Sequence, residues 1–199
     1  MSAKLMENNY GNFTRVRTSR VRLSFPHIFE KDSMTRKYGC ALLIPKDDKE
    51  LLKIINTAIK NAKEDGKERV WGGKLPAKLR EPISDGDEED KEGYENCYVL
   101  NPKTTRRIEV FDMGPKATCG TIDDAEDLYP GCYVQAIIEF APYDNQGKGV
   151  TSILLGLKKV ADGEHLGGTS YQATADDFDD GEDGGDDLGG DEDDLGLPF

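Results

Sequence analysis

Four arginines, Arg15, Arg17, Arg20 and Arg22, stand close together on a strand-like segment with no lysine among them. A guanidinium is a planar, permanently charged fork that matches phosphate and whose face stacks on π-systems. More cations stand at Lys103, Arg106 and Arg107, and Lys74, Lys78 and Arg80 follow Trp71. Aromatic residues are interleaved with them at Phe13, Tyr38, Tyr94, Tyr98 and Phe111. A groove that holds a single nucleic-acid strand needs both kinds of group: cations track the phosphates, and rings stack on bases without reading sequence. The candidate strand-binding set is Arg15, Arg17, Arg20, Arg22, Tyr38, Trp71, Lys103, Arg106, Arg107 and Phe111. The competing explanation is a solvated basic sheet face with the aromatics in the core.

Motifs for covalent or metal-assisted chemistry are missing. No Gly-Lys-Ser/Thr phosphate loop and no nucleophile elbow occurs. His27 and His165, the two histidines, do not sit in a metal-ligand spacing. Cys40, Cys97, Cys119 and Cys132 form no Cys-x-x-Cys pair. Three of them (Cys40, Cys97, Cys132) lie in apolar, strand-like contexts where cysteine acts as a small hydrophobe. Their spacing does not match a zinc ribbon or finger, and unpaired cysteines suit a reducing cytoplasm. The expectation is no catalytic residue, no metal and no cofactor. The rival is a Mg²⁺-dependent nuclease using Asp85, Asp87, Glu88 or Asp90. Consecutive carboxylates on a glycine-containing loop are commonly just solvated, whereas two-metal sites draw ligands from several rigid elements.

The net charge of −13 is unevenly spread: Asp176 to Phe199 carries twelve carboxylates and no Lys or Arg. Residues 1–159 hold 25 acids against 26 bases, so that part is nearly neutral. A like-charged stretch rich in Gly and Asp cannot bury enough surface to offset its ordering entropy, so residues 166–199 are expected to be a disordered acidic tail. The tail ends on an apolar tip, Leu197-Pro198-Phe199, after Asp193 and Asp194. Such an end suits capture by a partner protein, with a basic residue on the terminal carboxylate and an apolar pocket for the ring. The same arm could occupy a site meant for another polyanion. No apolar run approaches membrane-spanning length, and no signal-peptide core follows Met1.

The elements that must position these groups are mostly strands of one domain, residues 1–165. Phe13 to Phe25 reads as one long strand whose inside–outside parity switches, which predicts a bulge or bend near Thr18-Ser19. Lys37 to Ile44 is a second strand, stopped by Pro45. A helix follows from a cap at Asp47 or Asp48 to about Glu64, with Leu51, Ile55, Ala58, Ile59 and Ala62 as its apolar stripe. Residues 66–96 read as a long irregular insert. Tyr94 to Leu100 and Arg106 to Phe111 are strands, with a turn at Asn101-Pro102-Lys103. Cys132 to Tyr143 and Val150 to Val160 form a hairpin around Asp144 to Gly149. About six strands and one main helix predict a mainly β fold, an OB-fold-like small antiparallel barrel with long loops. A β-sandwich is the competing architecture.

Several segments together resemble phage-encoded single-stranded DNA-binding proteins. They are Val21 to Phe29, Tyr38 to Lys46, Leu79 to Asp87, Tyr129 to Val134, Tyr143 to Gly149 and Asp162 to Gly168. The tip is similar to that of bacterial single-stranded DNA-binding proteins, whose acidic tails close on Pro-Phe, although Gly196 departs from the pattern. The resemblance implies an OB-fold core, sequence-independent coating of single strands in phage replication, recombination or repair, and a tail that recruits replication or repair proteins. It also implies work in the cytoplasm of a bacterial host, and homo-oligomerisation stays open. The helix lies earlier than in a plain five-stranded OB barrel, which predicts a variant topology. An acidic-tailed adaptor or DNA-mimic inhibitor is the rival from another class, and a strand-annealing protein is a close variant.

Overall fold

The computed structural model describes residues 2–114 and 120–167. The elements follow as β1 (Lys4–Met6), β2 (Arg15–Arg17), β3 (Val21–His27), β4 (Tyr38–Pro45), α1 (Lys49–Arg69), β5 (Ile83–Asp85), β6 (Cys97–Leu100), β7 (Lys103–Thr104), β8 (Val110–Phe111), β9 (Tyr133–Asp144) and β10 (Lys148–Ala161).

β2 and β3 are two halves of one bent strand. Both pair antiparallel with β9, through Arg17 opposite Ile137 and Val21 opposite Val134. Four steps on the first strand face three on the second, so one residue is extra. Thr18 anchors the bend: its N–H donates to Ala136 O at 2.9 Å and its Oγ1 accepts from Ala136 N–H at 2.9 Å. Its carbonyl accepts from Gln135 Nε2 at 2.8 Å. The extra residue resets the parity, so Val16, Val21 and Leu23 all point into the core. This is the bend that the parity switch predicts.

A closed ring follows. β3 pairs with β4 and β9, β9 with β10, β10 with β7, and β7 with β4. β6 and β5 extend the sheet from β4, and β1 and β2 extend it along β9. The ladders of β10 with β7 and β8 run parallel, while the others are antiparallel. Closure leaves few exposed strand edges, and the ring is an uneven OB-type barrel rather than a sandwich. Along β9, Val134, Ala136, Ile138 and Phe140 are buried in the interior, each at 1% exposure or less.

Asp48 caps α1 by accepting the Leu51 N–H at 3.0 Å. The predicted stripe, Leu51, Ile55, Ala58, Ile59 and Ala62, is wholly inside. The helix runs one turn beyond the expected end at Glu64 because Gly66 permits close packing there. A Cβ on Gly66 would lie 2.8 Å from the Trp71 ring. The insert is correspondingly shorter and holds β5 and a 3-10 turn over Gly86–Glu88. The strand expected over Arg106 to Phe111 shrinks to β8, and Lys103, expected in a turn, is the first residue of β7. Among the described residues no helix is long and apolar enough to cross a membrane.

Candidate nucleic-acid interface

The register between β3 and β4 breaks between Ser24 and His27. Pro26 lacks an N–H and cannot continue the ladder. Phe25 sits in this break with φ of 43° and its ring 56% exposed. A bulky residue in the left-handed region is strained, and an exposed aromatic gains little burial in return. Directly behind it the chain is firm: the buried Tyr94 hydroxyl hydrogen-bonds Ser24 Oγ at 3.2 Å, within a small apolar cluster of Ala41, Leu43, Tyr94 and Val99.

Phe25 opens onto a groove of about 420 Å³ that Met34, Lys37, Lys91, Tyr94 and Lys103 also line. The Lys91 ammonium stands 5.6 Å from the Phe25 ring centroid and 5.1 Å from that of Tyr94. Its hydrogen bond to Glu89 raises its pKa above the ordinary lysine value, so it is charged at neutral pH. Lys103 enters from β7, opposite Gly39 of β4. A Cβ at Gly39 would meet Pro102 O at 2.8 Å and Lys103 Cγ at 2.9 Å, so the ring can close here only on glycine. Lys37 and Lys103 are exposed, and Met34 is 90% exposed. The groove thus combines an accessible ring with the exposed Lys37 and Lys103, while Lys91 is paired with Glu89 at 2.7 Å and Asp32 also lines the groove; a ring and two open lysines suffice to stack a base and to pair with phosphates.

The ten sequence candidates fall into three groups. Lys103 lies in the groove, and Tyr38 is half-buried one residue from Gly39, with Lys31 5.5 Å above its ring. Arg106, Arg107 and Phe111 continue the chain from β7; Arg107 makes a loose pair with Asp123 at 3.4 Å, and Phe111 is 37% exposed. The arginine row is spread along the outer side of the bent strand and engaged with the protein. Arg15 pairs with Glu139 at 2.7 Å, and Arg17 Nη2 donates to Ser2 O at 3.2 Å. Arg20 stacks 4.8 Å over Tyr133, and Arg22 Nη2 donates to Glu164 O at 2.7 Å. Trp71 is placed in the core rather than on a groove: it is 6% exposed, and its indole N–H donates to Tyr143 O at 3.1 Å.

Phe25 is absent from the candidates that the sequence suggests. Its parity with Val21 and Leu23 assigns it to the interior, and Pro26 is the signal to the contrary. The acidic patch is tied up locally. Lys46 bridges Asp85 at 2.5 Å and Asp87 at 2.7 Å, and its hydrogen bonds hold both carboxyls below the usual range. No group of three or more His, Cys, Asp or Glu side chains among the described residues is placed to hold a metal ion. The tip residues Asp193, Asp194, Leu197, Pro198 and Phe199, and Cys119, lie outside the described residues.

An uneven β ring with one helix and an open groove of lysines around an exposed ring is the form of an OB-type single-strand-binding module. The chain belongs to the phage family described as Enterobacter phage Enc34, ssDNA-binding protein, which matches residues 14–188. It is 32% identical over 179 residues to protein p50 of Acyrthosiphon pisum secondary endosymbiont phage 1, covering 83% of this chain and 93% of that one. The single-stranded DNA-binding protein from bacteriophage Enc34, solved in complex with ssDNA, superposes with a TM-score of 0.66 at 29% identity, over 77% of this chain and 90% of that one. The fold is also that of gp2.5, a single-stranded DNA-binding protein encoded by bacteriophage T7, with a TM-score of 0.53 at 13% identity over 80% and 97% of the two chains.

Proposed function

We propose that this protein coats single-stranded DNA without regard to sequence in phage replication, recombination or repair, with the Phe25 groove as its strand-binding surface. The observation that carries this reading is the strained, exposed Phe25 ring beneath the Lys91 ammonium in a groove that also holds Lys37 and Lys103. Phe25 and Tyr38 stack on bases, and the three lysines pair with phosphates. Arg106, Arg107 and Phe111 extend the path beyond Lys103. Arg15, Arg17, Arg20 and Arg22 brace the bent strand, and Trp71 fastens the end of α1. The domain spans residues 1–165, and the acidic segment 166–199 covers the groove when DNA is absent. DNA displaces it, and Asp193, Asp194, Leu197, Pro198 and Phe199 then recruit replication or repair proteins in the host cytoplasm.

The test is a titration of fluorescent oligo(dT) at two salt concentrations, with the full chain and with a variant ending at residue 175. Salt-sensitive binding that tightens on truncation supports both the groove and the competing tail. Equal affinity of the two forms removes the competition. No binding by either form removes the coating function and leaves the acidic adaptor as the better reading.

A further inference from the structure

A second basic surface shares no lining residue with the Phe25 groove. Lys49, Lys53, Asn56, Thr57 and Lys60 recur along α1 at helical spacing and are all exposed. They stand opposite the buried stripe from Leu51 to Ala62, on the side of the helix that packs on nothing. With Leu52, Ile83 and Tyr98 as apolar floor they line an open groove of about 780 Å³ beside β5 and β6. Lys46 closes one end, 5.1 Å over the Tyr98 ring and bridged to Asp85 and Asp87.

The charge of this stripe is left open. No carboxylate is among the lining residues, and Lys49, Lys53 and Lys60 form no salt bridge among the described residues. Lys46, Lys63, Lys91, Lys148 and Lys159, by contrast, each hold a carboxylate. Like charges four residues apart on a helix repel, so the stripe is unfavourable until an anion covers it. From Lys49 to Lys60 the stripe rises about 16 Å. A row that long fits a series of phosphates better than one small anion. One face of Tyr98 is already under Lys46, so the groove offers phosphate contacts and an apolar floor rather than a stacking platform. The two basic surfaces lie near opposite ends of β4: Gly39 lines the Phe25 groove, and Lys46, which follows Pro45, lines this one. Seven steps of strand separate them by about 23 Å.

We infer that the α1 lysine stripe is a second phosphate-binding segment, which takes the continuation of the single strand held in the Phe25 groove. Lys49, Lys53 and Lys60 pair with successive phosphates, and Leu52 and Ile83 meet the sugars between them. Asp85 and Asp87 repel phosphate at the Lys46 end and so bound the track there. The Phe25 groove supplies stacking and the stripe supplies only charge, so the stripe adds affinity for long strands and none for strands too short to reach it. The inference rests on the coating function and extends its path beyond the Phe25 groove.

The test titrates the full chain and its Lys53→Gln/Lys60→Gln variant with oligo(dT) of about 5 and about 16 nucleotides, near the two ends of the range that one OB-type domain covers. Each titration is repeated over a series of salt concentrations. The expected result is unchanged binding of the short oligo by the variant. Its binding of the longer oligo weakens, and the slope of log affinity against log salt falls by about 1.4, or about 0.7 for each of two lost phosphate contacts. Lys53→Arg/Lys60→Arg should keep the wild-type slope, which separates charge from misfolding. An unchanged slope on the longer oligo in the Gln variant overturns the proposal. Equal losses on both oligos also overturn it, because the lysines then serve the Phe25 groove. Tighter binding by the variant overturns it as well, since the stripe then holds an anion that competes with DNA. Two short oligos per wild-type chain would put a separate strand on the stripe and overturn the single path. Phe25→Ala is the control for the first groove: short-oligo binding that survives it counts against that groove, while a length-specific loss in the Gln variant still supports the stripe. Failure of the wild-type chain to bind either oligo overturns the coating function and the stripe together.

Discussion

The Lys91 ammonium spans two rings, standing 5.6 Å from exposed Phe25 and 5.1 Å from buried Tyr94. One cation thus ties a solvent-facing platform to the packed cluster behind it. Phe25→Ala is expected to weaken oligo(dT) binding by about 1–3 kcal/mol, the range for losing one stacked base. The melting temperature should hardly move, because the ring is 56% exposed. Phe25→Gly should lose the same affinity while matching or exceeding wild-type stability, since glycine carries no penalty at positive φ. Titration and thermal melting of both variants check the pair of statements.

If the groove lysines pair with phosphates as proposed, the salt dependence of binding reports how many phosphates they neutralise. Replacing Lys37, Lys91 or Lys103 singly by Gln should lower the slope of log affinity against log salt by about 0.7 for each phosphate left unpaired on a single strand. The same measurement on Arg15→Gln should leave the slope unchanged.

Arg15→Gln should instead appear in stability. Arg15 pairs with Glu139 at 2.7 Å with both side chains about one-fifth exposed. A pair this shielded exceeds an open surface bridge, yet solvent still screens it, so the expected loss is about 1 kcal/mol. Urea denaturation of wild type and variant measures it.

Trp71 is the one tryptophan of the chain. Because it is buried, its emission should respond little when oligo(dT) binds, in contrast to the strong quenching of a ring stacked on a base. Trp71→Ala should cost about 3–5 kcal/mol of stability through the cavity it leaves under α1.

The Lys46–Asp85–Asp87 cluster sets a pH window for the turn that follows β5. Hydrogen bonds to Lys46 depress both carboxyl pKa values below 3.8, and hydrogen bonds to Asp85 and then Asp87 raise that of Lys46 above 10.5. A depressed carboxyl contributes stability that is full above the unfolded value and lost as pH falls through the folded one. A raised lysine contributes stability that is full below the unfolded value and lost as pH rises through the folded one. Amide exchange at Asn96, whose N–H donates to Asp87 at 2.6 Å, should therefore show protection between these limits and lose it below about pH 3.8. Lys46→Met should weaken the acid dependence and leave the part that the Asn96 N–H bond to Asp87 contributes.

Much of the framework is legible in the sequence because its signals are local. The α1 stripe from Leu51 to Ala62 repeats at helical spacing, and Asp48 has the chemistry of a cap. The parity switch around Thr18 announces a bulge, since a core face must stay on one side of a strand. The hairpin between β9 and β10 alternates buried and open positions over many residues. The proposed site is harder to read because its determinants are distant in sequence. Arg15 looks like a free cation until Glu139, 124 residues away, is brought beside it. Trp71 looks like a loop aromatic until Gly66 and Tyr143 enclose it. Phe25 looks like core until the break at Pro26 turns it outward.

The most direct test sets two paired variants against each other in oligo(dT) binding at one salt concentration. Phe25→Ala/Lys103→Gln removes the groove's platform and one of its phosphate partners, and Arg20→Gln/Arg22→Gln removes the nearest part of the arginine row. The account predicts that the first loses affinity by about tenfold or more while the second binds like wild type. Full affinity in the first and lost affinity in the second, with both proteins folded, would move the strand from the Phe25 groove to the arginine row and contradict the account.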